Sequence, residues 1–253
     1  MIRIGMAQIL VECGAAESNL RRASAMIAEA ASRRCDYVVL PECLDAGWTH
    51  PSAREIAQPV PGPTCAQLAA AARTHGVYVV AGITERAGDR IYNAAVLLSP
   101  DGELLLKHRK INELDIAHDL YSLGGMIGVA ETGAIRTGVT ICADNFPDSL
   151  DFARSIARMG ARLLLSPCAW AVDADHDNQL EPYGDLWLGA YSELSRAFDI
   201  TVVGVSNVGW MTGGPWQGRK CIGCSLAVGP GGKVLATGPY GVDAEALVPF
   251  DVP

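Results

Sequence analysis

The chain is short of cationic residues, of aromatics and of long apolar runs, and each shortage closes off a class of function. Only 20 Lys and Arg stand against 28 Asp and Glu in 253 residues, a formal net charge of −8. That balance, with no basic run, disfavours nucleic acid or an anionic membrane as partner. No stretch has the length and apolarity of a membrane span, and the opening MIRIGMAQIL lacks a charged n-region and a cleavage site. The expectation is a cytoplasmic chain with neither nucleic acid nor membrane among its partners. Aromatics are only 6% of the residues while apolar residues make up 49%, with many Ala, Val and Leu. Such a mixture suits a compact α/β protein with an ample core.

Cysteine is present but badly arranged for cross-linking. Eight are scattered, at 13, 35, 43, 65, 142, 168, 221 and 224, which reads as reduced thiols rather than a disulfide framework. The single CxxC, Cys221 to Cys224, has no second ligand pair for zinc and does not open a helix after a first strand, as a thioredoxin-like site would. No metal and no organic cofactor are expected.

Along the chain, apolar alternation predicts a strand over Ile2 to Leu10, and helical spacing of Leu20, Ala23, Ile27 and Ala30 predicts a helix over Glu17 to Arg34. Short apolar runs at 36–41, 77–84, 91–99, 103–107, 135–142, 162–167 and 201–207 read as strands. Helices are expected after an N-cap at Thr64, over 149–159 entered through Asp148, and over 186–198. The turn SPDGELLL at 99–106 has an echo in GPGGKVLA at 229–236, and a last strand falls near 246–250. Two similar halves, each sheet covered by helices on one face, give an α/β four-layer α-β-β-α sandwich of two mixed sheets. With no linker or compositional break, residues 1–253 are expected to form one domain.

Three reactive side chains stand where apolar runs end: Glu42, Lys110 and Cys142. Singly, each has a bland reading as a loop carboxylate, a surface lysine or a small core residue. Together they make a chemical set. A free cysteine is mostly thiol at neutral pH. A neighbouring carboxylate can take its proton, pass one to a leaving amine and later activate water. A lysine cation, with the backbone N–H of Ala143, can stabilise the oxyanion of a tetrahedral intermediate. None of the five histidines sits in a clear base position, and His118 alone lies in a loop near the proposed site.

The segments LPE at 40–42, HRKINE at 108–113 and GVTICADNFPD at 138–148 resemble, in order and separation, the three signatures of the nitrilase superfamily of carbon–nitrogen hydrolases. The runs 92–110 and 225–238 are similar to it as well. The resemblance implies the α-β-β-α sandwich, commonly paired into dimers or higher homo-oligomers. It implies Glu42 as general base, Lys110 as oxyanion-stabilising lysine and Cys142 as nucleophile, with no cofactor. Many members carry a second glutamate, whose place here falls near Ala117, and Glu113 or Asp119 are the candidates to supply it. Ala143 is smaller than the residue that often follows the nucleophile. Trp170, Phe146 and His118 are candidate substrate-binding residues, and the charges of loop 171–185 with Arg219 and Lys220 could read a charged tail. Cys-Ala-Asp resembles the amidase and carbamoylase branches more than the nitrilases. A small linear amide is the leading substrate, with N-carbamoyl compounds and nitriles as alternatives. A non-catalytic binding or assembly module is the reading from another class, and the presence of all three reactive residues argues against it.

Overall fold

The computed structural model describes residues 2–133 and 135–252. In chain order the elements are β1 (Ile2–Gln8), α1 (Ala16–Ser32), β2 (Tyr37–Val39), α2 (Ala53–Ile56), α3 (Pro63–His75), β3 (Tyr78–Ala87), β4 (Arg90–Leu98) and β5 (Leu104–Arg109). The second half holds β6 (Val129–Thr132), β7 (Ile135–Val139), α4 (Asp151–Arg158), β8 (Leu163–Cys168), β9 (Ala171–Val172), α5 (Asp185–Phe198) and β10 (Thr201–Ser206). It ends with β11 (Val208–Trp210), β12 (Lys220–Ile222), β13 (Leu226–Gly229), β14 (Lys233–Thr237) and β15 (Ala246–Val252).

Two mixed six-stranded sheets result, ordered β15-β1-β2-β3-β4-β5 and β14-β13-β10-β8-β7-β6. Each has a parallel centre, β1-β2-β3 in one and β7-β8-β10 in the other, flanked by antiparallel strands. Side-chain alternation divides the core. Val38, Val79 and Leu98 face Leu20, Ile27 and Leu68 of α1 and α3. Tyr37, Val39 and Val80 face the other way, onto Val139, Leu163 and Val203 of the second sheet. α5 covers the far side of that sheet with Leu194 and Tyr191, so the layers run α-β-β-α.

Several boundaries differ from the sequence expectation. The N-cap of α3 is Gly62 rather than Thr64, because Pro63 takes the first helical position, where a missing N–H costs nothing. β7 stops at Val139, and Cys142–Asn145 tighten into a 3-10 turn. Asp148 caps nothing, since α4 begins only at Asp151. The small third sheet, β11-β12-β9, lies outside the strands that the sequence pattern predicts. Among the described residues no helix is long and apolar enough to cross a membrane.

Candidate active site

Glu42 leaves the end of β2 between two grips from β3. Gly82 N–H donates to the Pro41 carbonyl at 3.0 Å, and Leu44 N–H donates to the Gly82 carbonyl at 2.9 Å. Gly82 must be glycine, because a Cβ there would sit 2.5 Å from Glu42 Cα. The Glu42 N–H crosses to the other sheet and donates to the Cys168 carbonyl at 3.1 Å. Lys110 follows β5 directly, its N–H donating to the Asn93 carbonyl at 2.9 Å.

These side chains meet in a buried polar knot. Lys110 Nζ donates to Glu42 Oε1 at 2.7 Å and lies 3.3 Å from Glu113 Oε2. Asn93 Nδ2 donates to both acids, to Glu42 Oε1 at 2.6 Å and Glu113 Oε1 at 2.8 Å. Asn93 Oδ1 in turn accepts from the Cys43 thiol at 3.3 Å. Burial pulls the Lys110 ammonium down, but Glu113 and Glu42 outweigh it and hold its pKa well above the ordinary lysine value. Glu113 moves up, because burial and the Glu42 charge outweigh the attraction of Lys110.

Cys142 heads the 3-10 turn at φ +43, a left-handed conformation rare for a residue with a side chain. Its N–H donates to Ser166 Oγ at 3.1 Å, and Asn145 Nδ2 donates to the same hydroxyl at 3.0 Å. The Ala143 N–H falls in the first turn, where amides have no partner within the helix. Burial pushes the Cys142 thiol well above its usual range, with Cys168 and Glu42 adding to the effect and Lys110 opposing it. The resting group is therefore a thiol.

Glu42, Lys110 and Cys142 line one cavity of about 70 Å³. Its walls are aromatic. Trp170 and Trp187 stack at 4.8 Å, with Phe146 at 5.2 Å from Trp187. On the other side Trp48 and Trp216 meet edge to face at 4.8 Å. Trp170 and Phe146 thus stand where the sequence reading put them. His118 and Asp119 do not. The 3-10 turn Asp115–Ala117 points Ala117 inward and leaves both exposed on the surface, outside the cavity lining. Arg219 stacks on the Trp216 ring at 4.3 Å but is held by Asp173 at 2.9 Å, and Lys220 Nζ donates to the Ala174 carbonyl. Neither cation offers itself to the cavity. Asn93, Trp48 and Trp187 escaped the sequence reading. The signal for Asn93 was there, an amide inside the apolar run IYNAAVLL, where an unpaired polar group is costly.

A family model described as carbon-nitrogen hydrolase matches residues 3–245. The chain belongs to the carbon–nitrogen hydrolase family. A protein named nitrilase from Pyrococcus abyssi is 32% identical over 93% of this chain and 84% of its own length. An omega-amidase from Xenopus tropicalis is 34% identical over 66% of this chain and 63% of its own length, so the match spans under two thirds of that relative. Among solved structures, a carbon-nitrogen hydrolase from Helicobacter pylori superposes with a TM-score of 0.86 at 20% identity, over all of this chain and 89% of the other. An amidase from Nesterenkonia sp. does so at 0.82 and 22% identity, over all of this chain and 90% of the other. At these identities the two structures speak for the fold.

Proposed function

We propose that this chain hydrolyses the C–N bond of a small linear amide through a thioester on Cys142. The observation that carries the reading is the shared cavity, in which a protonated thiol, a buried carboxylate and a paired lysine line the same space. Glu42 takes the Cys142 proton as the sulfur attacks the amide carbon. The oxygen, now anionic, is met by Lys110 Nζ and the Ala143 N–H. Collapse breaks the C–N bond, and Glu42 returns the proton to the departing ammonia or amine. Water then loses a proton to Glu42, attacks the thioester and releases the acid and the thiol. Glu113, with its raised pKa and its contacts to Lys110 and Asn93, serves as the second acid and takes the place the family fills near Ala117.

The walls narrow the substrate class. Lys110 is the only cation lining the cavity among the described residues, and two carboxylates already engage it. A substrate carboxylate would find no free partner there, and burying it unpaired is costly. An uncharged, largely apolar acyl group fits the aromatic walls. The likeness to a relative named nitrilase keeps nitriles as a second reading.

The test is ammonia release from neutral primary amides, acidic amides, N-carbamoyl amino acids and nitriles, with Cys142→Ala alongside. Release from neutral amides that disappears in Cys142→Ala is the expected result. Comparable turnover by the variant overturns the mechanism, and a preference for nitriles or carbamoyl compounds reassigns the branch.

A further inference from the structure

We propose that Asp144 is a positioning residue that sets the spacing between Lys110 and the Ala143 N–H, and so shapes the site for the oxyanion. This rests on the hydrolase reading above and adds to it a residue that reacts with nothing.

The lysine and the amide come from different sheets, Lys110 from the end of β5 and Ala143 from the turn after β7. No strand ladder ties the two segments, so a side chain must. The Asp144 carboxylate is completely buried and reaches both. Its Oδ2 accepts from Ile141 N–H at 2.9 Å and from His108 Nε2 at 2.7 Å. Its Oδ1 accepts from Ile111 N–H at 3.0 Å and Asn112 N–H at 2.9 Å. The partners at 108, 111 and 112 bracket Lys110 on both sides in the chain. Asn112 closes the ring, since its Nδ2 donates to the Ala143 carbonyl at 2.7 Å, where Ser149 Oγ also donates at 2.7 Å. Lysine loop and nucleophile turn are thus held as one body around a single carboxylate.

That carboxylate stays an acceptor. Burial alone would raise its pKa, but the His108 hydrogen bond and charge and the backbone donors bring it below the usual carboxylate value. His108 Nδ1 is buried with no hydrogen-bond partner among the described residues. Nothing therefore competes for the ring from its other side, and Nε2 remains committed to Asp144.

Asp144→Asn is the direct test. The amide oxygen can still accept from Ile111 and Asn112, while its NH₂ would face two donors, Ile141 N–H and His108. If the clamp sets the oxyanion donors, kcat falls roughly 100-fold, the order expected for losing one such donor. Two readouts separate this from general loosening: KM stays within about threefold, and so does the rate at which iodoacetamide alkylates Cys142, because displacement at a saturated carbon develops no oxyanion. Asn112→Ala is the milder partner. It leaves Asp144 and Lys110 intact, removes one of the two side-chain donors to the Ala143 carbonyl, and should cost about tenfold in kcat with the same split, the scale of one hydrogen bond. If Asp144→Asn fails to fold, Asn112→Ala decides. Alkylation that falls in step with kcat in a folded variant overturns the proposal, as does unchanged kcat. Wild-type turnover in the same assay keeps the claims apart. Its absence overturns the hydrolase reading and this one with it, whereas normal turnover with unsplit variants overturns this one alone.

Discussion

Two carboxylates are buried near the cavity, Asp144 within the turn after β7 and Glu113 three residues beyond Lys110, and burial has opposite outcomes for them. Asp144 falls below the ordinary carboxylate pKa, while Glu113 rises above it. Both are almost wholly shielded from water, so desolvation does not explain the difference. The donors do. Asp144 has four donors, and three of them are backbone amides with no proton to give up. Glu113 shares one lysine and one amide with Glu42, and its Oε2 has no well-aligned donor. A saturated carboxylate can only hold, and an under-supplied one can trade protons. On the proposed mechanism the contrast separates a girder from a reagent.

The sharpest way to break the contrast is Lys110→Met, which leaves two buried acids with no cation between them. Turnover should fall by at least about 100-fold through the lost oxyanion donor. Stability should fall by about 3–5 kcal/mol for one broken buried pair, read as a drop in the urea midpoint. An unimpaired rate would remove Lys110 from the mechanism. Next comes Glu113→Gln, expected to cost on the order of 100-fold in kcat if the acid trades protons. Its stability should carry the opposite pH signature to that of Asp144→Asn. The raised pKa of Glu113 means the folded state grips a proton the unfolded chain has released, so the wild type loses stability as pH climbs from about 4.3 through the folded value. Removing that acid therefore helps relatively more at neutral pH than at pH 4. The depressed pKa of Asp144 gives stability that is present above about 3.9 and lost as pH falls through its folded value. Removing that acid therefore hurts most at neutral pH. Urea midpoints of both variants between pH 3 and 8 should diverge, and parallel curves would collapse the distinction. The smallest effect belongs to Asp119→Asn, an exposed residue whose backbone carbonyl alone is engaged, by Arg54. Its kcat should stay within about twofold.

Much of this was legible because reactive residues sit at chain positions where apolar runs stop. Glu42, Lys110 and Cys142 could be found that way, and the echo between the 99–106 and 229–236 turns pointed to two covered sheets. The choice between Glu113 and Asp119 could not be read, since both lie in one polar loop. A single 3-10 turn sends Ala117 inward and residues 118 and 119 outward, while Glu113 stays buried beside Lys110. The third sheet escaped because strands of two and three residues are too short to show an alternation. The aromatic walls escaped for another reason. Trp48, Trp187 and Trp216 are brought together from a loop, a helix and a second loop more than 25 residues apart, and no local pattern encodes such a meeting.

Gly82 carries no reactive group, yet its two backbone bonds fix the strand end that carries Glu42, and the space beside it is already filled by Glu42 Cα. A methyl group there would displace Glu42 without altering a single reactive atom. Position 82 is therefore closed to any side chain by shape alone, whatever reaction the cavity performs.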